Sequence, residues 1–540
     1  MDFFEAALKL FSSPPLLQER GLGGEFTKYV SYIIYTPLNY KVVANATNLL
    51  YNTLYCSFEL GGFKMGKIEY KWIALSCTTL GALFSVLSGS TLIIALPAIM
   101  KDLNASMNVI MWTVMIYMLV LTILVPSIGR VADMIGRKKL YISGFIVFTI
   151  GSVLCGFSET GWQLLLFRFI QSIGGALLVA NSTPIVADAF PKNELGKAMG
   201  INGMVISVAS VIGPILGGAF ISIGWRYIFY INVPIGIIGT IWAGLQLKEL
   251  DILPEKQKFD WGGTITFTIG ITSLLLALTY GGFYGWTKIT VIAMFLVAAV
   301  FLLLFPYIEN KVEQPMLDLE LFKTRILAFA YGSNLLNGIA RGAITFLLVF
   351  YFQGIKAIDP VIAGILLAPF AVSMMIMAPI SGWLSDKMGS RELSSIGLLI
   401  SGVGLLGMVR ISTNTSIIEL SVWMFIAGLG SGMFFSPNTS AIMGAVPVER
   451  RGIAAGVRTM MNNAGSVISI ALAMAIISSS IDPKAMQGLF AGTQVGSEGI
   501  AIGNFISGLR TAFIISFLMS ILAAFISYLR GPQPQWRTES

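Results

Sequence analysis

Gly129-Arg-Val-Ala-Asp-Met-Ile-Gly-Arg-Lys-Lys139 separates two apolar runs, and Gly382-Trp-Leu-Ser-Asp-Lys-Met-Gly-Ser-Arg391 separates two more. Gly129, Asp133, Gly136 and Arg137 match Gly382, Asp386, Gly389 and Ser390 in spacing, with Arg391 returning the positive charge one place later. The glycines permit a tight reversal, while the aspartate can accept hydrogen bonds from a helix amino terminus or pair with Arg130 or Arg137. In each copy the loop joins the second and third of six apolar runs, so the chain contains a six-plus-six internal repeat. Runs of about twenty apolar residues cross the ~30 Å hydrocarbon core as helices, because lipid offers backbone N–H and C=O groups no partners. Fourteen such runs are present, from 72–97 to 511–530. They predict an all-α polytopic membrane protein of two six-helix bundles with two additional transmembrane helices in the central linker. The expected division is a cytoplasmic extension (1–70), a first bundle (71–248), a linker with two extra spans (249–325), a second bundle (326–530) and a tail (531–540).

Composition agrees with a life in lipid. Hydrophobic residues make up 55% of the chain and charged ones only 11%. The excess of 35 Lys+Arg over 27 Asp+Glu is an orientation signal rather than a nucleic-acid footprint. Arg130, Arg137, Lys138, Lys139, Lys192, Lys197, Lys387, Arg391, Arg450 and Arg451 fall on one set of alternating loops, which is therefore assigned to the cytoplasm together with both termini. The three cysteines imply no disulfide framework, and the absence of histidine removes the commonest proton relay and metal ligand. Residues 1–64 lack a clean apolar run, and Met65-Gly-Lys leads directly into the first span, so translation is expected to begin at Met65.

An internal repeat of this kind points to a transporter whose bundles rock about a shared central site, not to a channel or an enzyme. No Walker pattern, metal cluster or nucleophilic triad is legible, so no cofactor is expected. Gly129, Asp133, Gly136 and Arg137, with Gly382, Asp386, Gly389 and Arg391, are the candidate gate. Gly213, Pro214, Gly217 and Gly218 in span 199–223 suit a hinge or tight seal, or a passive kink. Arg168, Gln171 and Gly175 recur at helical spacing. An arginine within a span calls for a polar cavity or partner unless it snorkels to headgroups. Asn334, Asn337 and Arg341 fall on neighbouring turns of span 326–350, and Arg458 and Asn462 on span 453–477. These residues are cavity candidates, with interhelical structural bonds as the alternative.

These residues together resemble the major facilitator superfamily, and within it the fourteen-span drug:proton antiporter family. Gly129–Lys139 is similar to the signature between spans two and three, Arg168–Ala176 to the basic fourth-span motif, and Gly213–Gly218 to the fifth-span antiporter motif. Trp225-Arg-Tyr-Ile-Phe-Tyr-Ile-Asn-Val-Pro-Ile-Gly236, Pro315-Met-Leu-Asp-Leu319 and Ser436-Pro-Asn438 add to the likeness. The resemblance implies secondary active export of lipophilic or amphipathic small molecules, driven by inward proton movement, from the cell membrane. The expected partners are such a substrate and the bilayer, and the chain is expected to act as a monomer. Leu87-Ser-Gly-Ser-Thr-Leu-Ile-Ile-Ala-Leu-Pro97 departs from the related first-span pattern, since Ser88 stands where relatives carry an aspartate. That departure leaves Asp188 as the proton-site candidate, with Arg168 expected to tune it if the fold brings the two together. It also makes export of a specific metabolite or organic anion, with non-standard coupling, the alternative.

Overall fold

The computed structural model describes residues 69–221, 223–249, 259–317, 319–478 and 499–531. The expected extension and Met65, most of the linker 249–260, most of the loop 478–509 and most of the tail lie outside them.

Helix dominates, as the absence of backbone partners in lipid requires. The first half comprises α1 (Tyr70–Asp102), α2 (Met107–Ile135), α3 (Arg137–Gly156), α4 (Gly161–Ala189), α5 (Leu195–Ile221) and α6 (Asn232–Gln246), the last preceded by the single turn Tyr227–Tyr230. A hairpin of α7 (Trp261–Tyr284) and α8 (Ile289–Glu309) follows. The second half comprises α9 (Arg325–Arg341), α10 (Ile344–Phe350), α11 (Pro360–Leu366), α12 (Ala368–Met388), α13 (Ser390–Met408), α14 (Ile417–Gly444), α15 (Arg451–Ser478) and α16 (Gly499–Tyr528). Among the described residues fourteen spans are long and apolar enough to cross a membrane. The fold is thus two six-helix bundles with two additional central helices. Two spans read as continuous are broken: α9 and α10 by Gly342-Ala343, and α11 and α12 at Leu367.

Within the first half α3 packs on α4, α1 on α5 and α2 on α4; within the second α13 packs on α14, α12 on α14 and α9 on α15. The most extensive packing between the halves joins α5 with α12 and α2 with α15, and α5 also meets α11 and α14 while α4 meets α15. The α7–α8 hairpin lies over the α2–α15 seam, because α7 packs on both α15 and α2. Only 17% of the apolar window of α8 is buried, and Ile289 and Leu303 are more than 70% exposed, as befits side chains solvated by lipid.

The hairpin is tied down by two buried carboxyls. Asp260 caps α7, accepting from Gly263 N at 2.8 Å, and also accepts from Met316 N at 3.3 Å. Glu309 accepts from Leu317 N at 2.5 Å, while its Oε2 receives no N–H. Burial opposes charge on Asp260, but a hydrogen bond from the Glu309 carboxyl and the N–H groups of Gly263 and Met316 outweigh it and hold Asp260 below the usual carboxylate range. Ser127 on α2 donates to Met316 Sδ at 3.3 Å, joining this knot to the first half. At the other end of the molecule Trp225 Nε1 and Arg226 donate to Asp102 at 2.8 and 2.7 Å, lowering its pKa and fastening α1 to the α5–α6 connection.

Candidate functional site: a charged seam between the halves

Gly136 and Gly389 take φ of +105° and +90°, which lets α3 follow α2, and α13 follow α12, with a single residue between them. The reversals leave Asp133 and Asp386 near the carboxyl ends of their helices, pointing across the seam. Asp133 accepts from Ile453 N at 3.3 Å at the start of α15. Asp386 accepts from Gly196 N at 2.8 Å and Lys197 N at 2.9 Å at the start of α5. Each half therefore caps a helix of the other, where orphan N–H groups and the helix dipole favour an anion. The backbones can come this close because glycines face one another. A Cβ on Gly129 would strike the Gly452 carbonyl, and one on Gly382 the Gly196 carbonyl. Deeper along the same seams Gly456 abuts Pro126 and Gly200 abuts Pro379.

Charge reinforces only the first clamp. Arg137 donates to Asp133 at 2.8 Å and to Val448 O at 3.0 Å, and it also pairs with Asp188. Asp188 is held in turn by Arg451 of α15 at 3.1 Å, and Arg451 donates to Ala187 O at 2.6 Å. Asp133, Arg137, Asp188 and Arg451 thus form one buried chain across α2, α3, α4 and α15. Removing one member of such a buried set costs about 3–5 kcal/mol. Arg130, the alternative partner expected for Asp133, is buried and lies in the field of Asp133, Asp260 and Glu309. Two expectations fail here. Arg391 does not stand in for Arg137 at the second clamp, because it donates to Tyr528 O at 2.9 Å and lies 3.9 Å from the Tyr528 ring centroid. Nor does Arg168 meet Asp188: both lie on α4, twenty residues apart, which a helical rise separates by about 30 Å.

Arg168 is 1% exposed and does not snorkel. It donates to Gln171 Oε1 at 2.5 Å, to Thr113 O at 3.3 Å and to Ser88 Oγ at 3.4 Å, and it lies over the Tyr117 ring at 4.8 Å. Gln171 in turn donates to Ser88 and Ser152 at 3.2 and 2.7 Å. The Ser88 hydroxyl is thus a neutral hub that accepts from both side chains. The second polar group lies between α9 and α15. Arg341 donates to Asn462 Oδ1 at 3.3 Å, and Asn334 donates to the Arg458 carbonyl at 2.6 Å. Asn337 is buried with its Oδ1 unpartnered. Among the described residues every Asp and Glu sits in a loop or near a helix end, so the charges farther within the spans are arginines. Each costs about 2.5–3.5 kcal/mol at mid-membrane unless partnered.

At the opposite end Gly213 and Gly217 pack on Ser90 and Thr91 of α1, whereas Gly218 faces Val361 and Pro214 faces Gly364 of α11. The Gly213–Gly218 stretch therefore seals both within its half and across the seam. The sequence reading overlooked Gly196, Gly200, Arg451, Ile453, Asp260 and Glu309 as site or tie residues. A second repeat signalled the helix starts: Pro191, Gly196 and Gly200 share their spacing with Pro447, Gly452 and Gly456.

Two six-helix bundles of membrane-spanning length that cap each other's helices across a seam have the architecture of a membrane transporter. The chain belongs to the Major Facilitator Superfamily, whose model matches residues 78–470 and 330–540. It is 36% identical to the riboflavin transporter RibZ of Clostridioides difficile over 76% of this chain and 88% of that one. It is 33% identical to multidrug resistance protein 3 of Bacillus subtilis over 78% and 82%. The human organic anion transporter MFSD10 shares the fold with a TM-score of 0.57 at 13% identity, covering 83% of this chain and 99% of that structure.

Proposed function

We propose that this protein exports small amphipathic organic compounds by alternating access, driven by inward proton movement, with both termini and the two clamps on the cytoplasmic side. The observation that carries the reading is the reciprocal capping of α15 by Asp133 and of α5 by Asp386. Rocking one bundle against the other breaks both caps together, so the pair can hold one state and release the other. The units that rock are 71–248 and 326–530, bridged by 249–325. Curated relatives named as multidrug transporters support the breadth of substrate, and one named as a riboflavin transporter supports a narrower metabolite. Inner charges that are all arginines favour neutral or anionic compounds over cations.

Efflux of a chemically diverse dye and drug panel from proteoliposomes, under imposed pH and voltage gradients, tests the reading. Asp386→Ala removes a cap worth about 1–2 kcal/mol, and Asp133→Ala removes a cap and a member of the buried ion set worth about 3–5 kcal/mol, so both are expected to insert and to slow transport roughly tenfold or more. Unchanged flux in both well-inserted variants would overturn the gate.

A further inference from the structure

We infer that the seam between α9 and α15 binds an organic oxyanion, a carboxylate, sulfonate or phosphate ester on an aromatic or apolar body, through Arg341 and Arg458. The inference rests on the transport reading above and names the class of substrate that reading leaves open.

Arg168, Arg341 and Arg458 lie within the spans, and their surroundings differ. Arg168 makes hydrogen bonds to three partners and stacks on Tyr117, as a structural arginine should. Arg341 and Arg458 do not. A guanidinium offers five N–H donors. Arg341 uses one, toward Asn462. Arg458 makes a single 3.5 Å contact, with Thr459 beside it in sequence, and its buried Nε has no partner. No carboxylate pairs with either one, and Arg458 feels the like charge of Arg341. An interhelical strut would satisfy these donors; here most of them are spare. Arg458 is 9% exposed, so water does not serve its donors freely, while Arg341 is partly exposed.

Position strengthens the case. Arg341 is the last residue of α9, immediately before the Gly342-Ala343 break. Transporters place their ligands at interrupted helices of this kind. Arg458 lies 5.5 Å from the Phe435 ring, and Phe435 also packs against Gly203 of α5, so the arginine pair sits beside the seam between the halves. Two guanidiniums present parallel N–H pairs to a planar or tetrahedral oxyanion, and Phe435 supplies an apolar wall for the body that carries it.

The test uses the full chain in vesicles of zwitterionic phosphatidylcholine, which keeps anionic headgroups out of the competition. Naphthalene sulfonate and naphthalene sulfonamide, equal in ring and different in charge, are titrated calorimetrically. The sulfonate is expected to bind about tenfold tighter or more, the worth of a charged hydrogen bond. Arg341→Gln and Arg458→Gln should each erase that preference and leave sulfonamide affinity unchanged, and the Lys variants should restore part of it. Because the free protein buries charge without partners, the Gln variants should melt no lower than the parent when ligand is absent. Equal binding of the two probes, binding of neither, parallel loss of both in the variants, or earlier melting rescued by Lys would overturn the proposal. Flux of a neutral dye in the same vesicles separates the two readings. Dye export without sulfonate preference removes the anion site alone, whereas sulfonate preference without gradient-driven export removes the export reading alone.

Discussion

Asp188 accepts from arginines of both halves, Arg137 and Arg451, and that double contact changes what its replacement should do. A residue reserved for proton transfer would be needed for gradient-driven transport and dispensable for exchange. A residue that ties α4 to α15 is needed for both. Asp188→Asn is therefore expected to lower thermal stability by an amount on the order of 3 kcal/mol and to depress gradient-driven uptake, gradient-free exchange and substrate binding alike. Selective loss of the gradient-driven flux would return Asp188 to the coupling role. The sequence made Asp133, Arg137 and Asp386 legible as gate residues because their spacing repeats. It did not disclose their partners, since Ile453 and Arg451 lie in the other half, and nothing local says which helix start an aspartate will cap. The expected pairing of Asp188 with Arg168 failed on simple helix geometry, because twenty residues of one straight helix place two side chains at opposite ends of a span. That Arg168 and Gln171 both close on the Ser88 hydroxyl emerges only from the packing of α1 against α4.

The α7–α8 hairpin contains the least buried of the fourteen described spans, and two buried carboxyls tie its ends. Asp260 has its pKa held below the ordinary 3.8 by the Glu309 carboxyl and two backbone N–H groups, despite burial. A depressed carboxyl contributes stability that is complete above the unfolded value and disappears as pH falls through the folded one. The Asp260 charge is thus lost only in strong acid, whereas the hydrogen bond from Glu309 needs a protonated carboxyl and is lost once that carboxyl ionises. Asp260→Asn removes the charge at every pH, and amide exchange at Met316 and Leu317 is expected to quicken roughly tenfold at neutral pH. Unchanged protection at both amides would show that the knot is not what holds the hairpin. The sequence marked Pro315–Leu319 only as a family motif, and the structure shows what its first residues do, since the amides of Met316 and Leu317 serve two buried acids. The break between α9 and α10 was hidden for a different reason. Apolar side chains, interrupted only by Thr345, run from Ile344 to Phe350, so hydropathy continues through the Gly342-Ala343 interruption.

At the scale of the molecule, the fourteen crossings were legible because each needs only length and apolarity, and the bundles because two loops repeat. The relation between the bundles was not legible, since it depends on glycine faces meeting across a seam: Gly129 with Gly452, and Gly382 with Gly196. Those meetings make the central claim physical, namely that two reciprocal caps close one end and that their joint release opens it. The most direct measurement is electron spin-echo distance determination between nitroxides at the exposed positions Ile135 and Met388, one in each half beside a clamp. The parent chain in vesicles is expected to show a dominant short distance, and the Asp133→Ala, Asp386→Ala double variant a distribution shifted to longer distances, with transport impaired. A distribution that stays unchanged when both caps are removed would contradict the account.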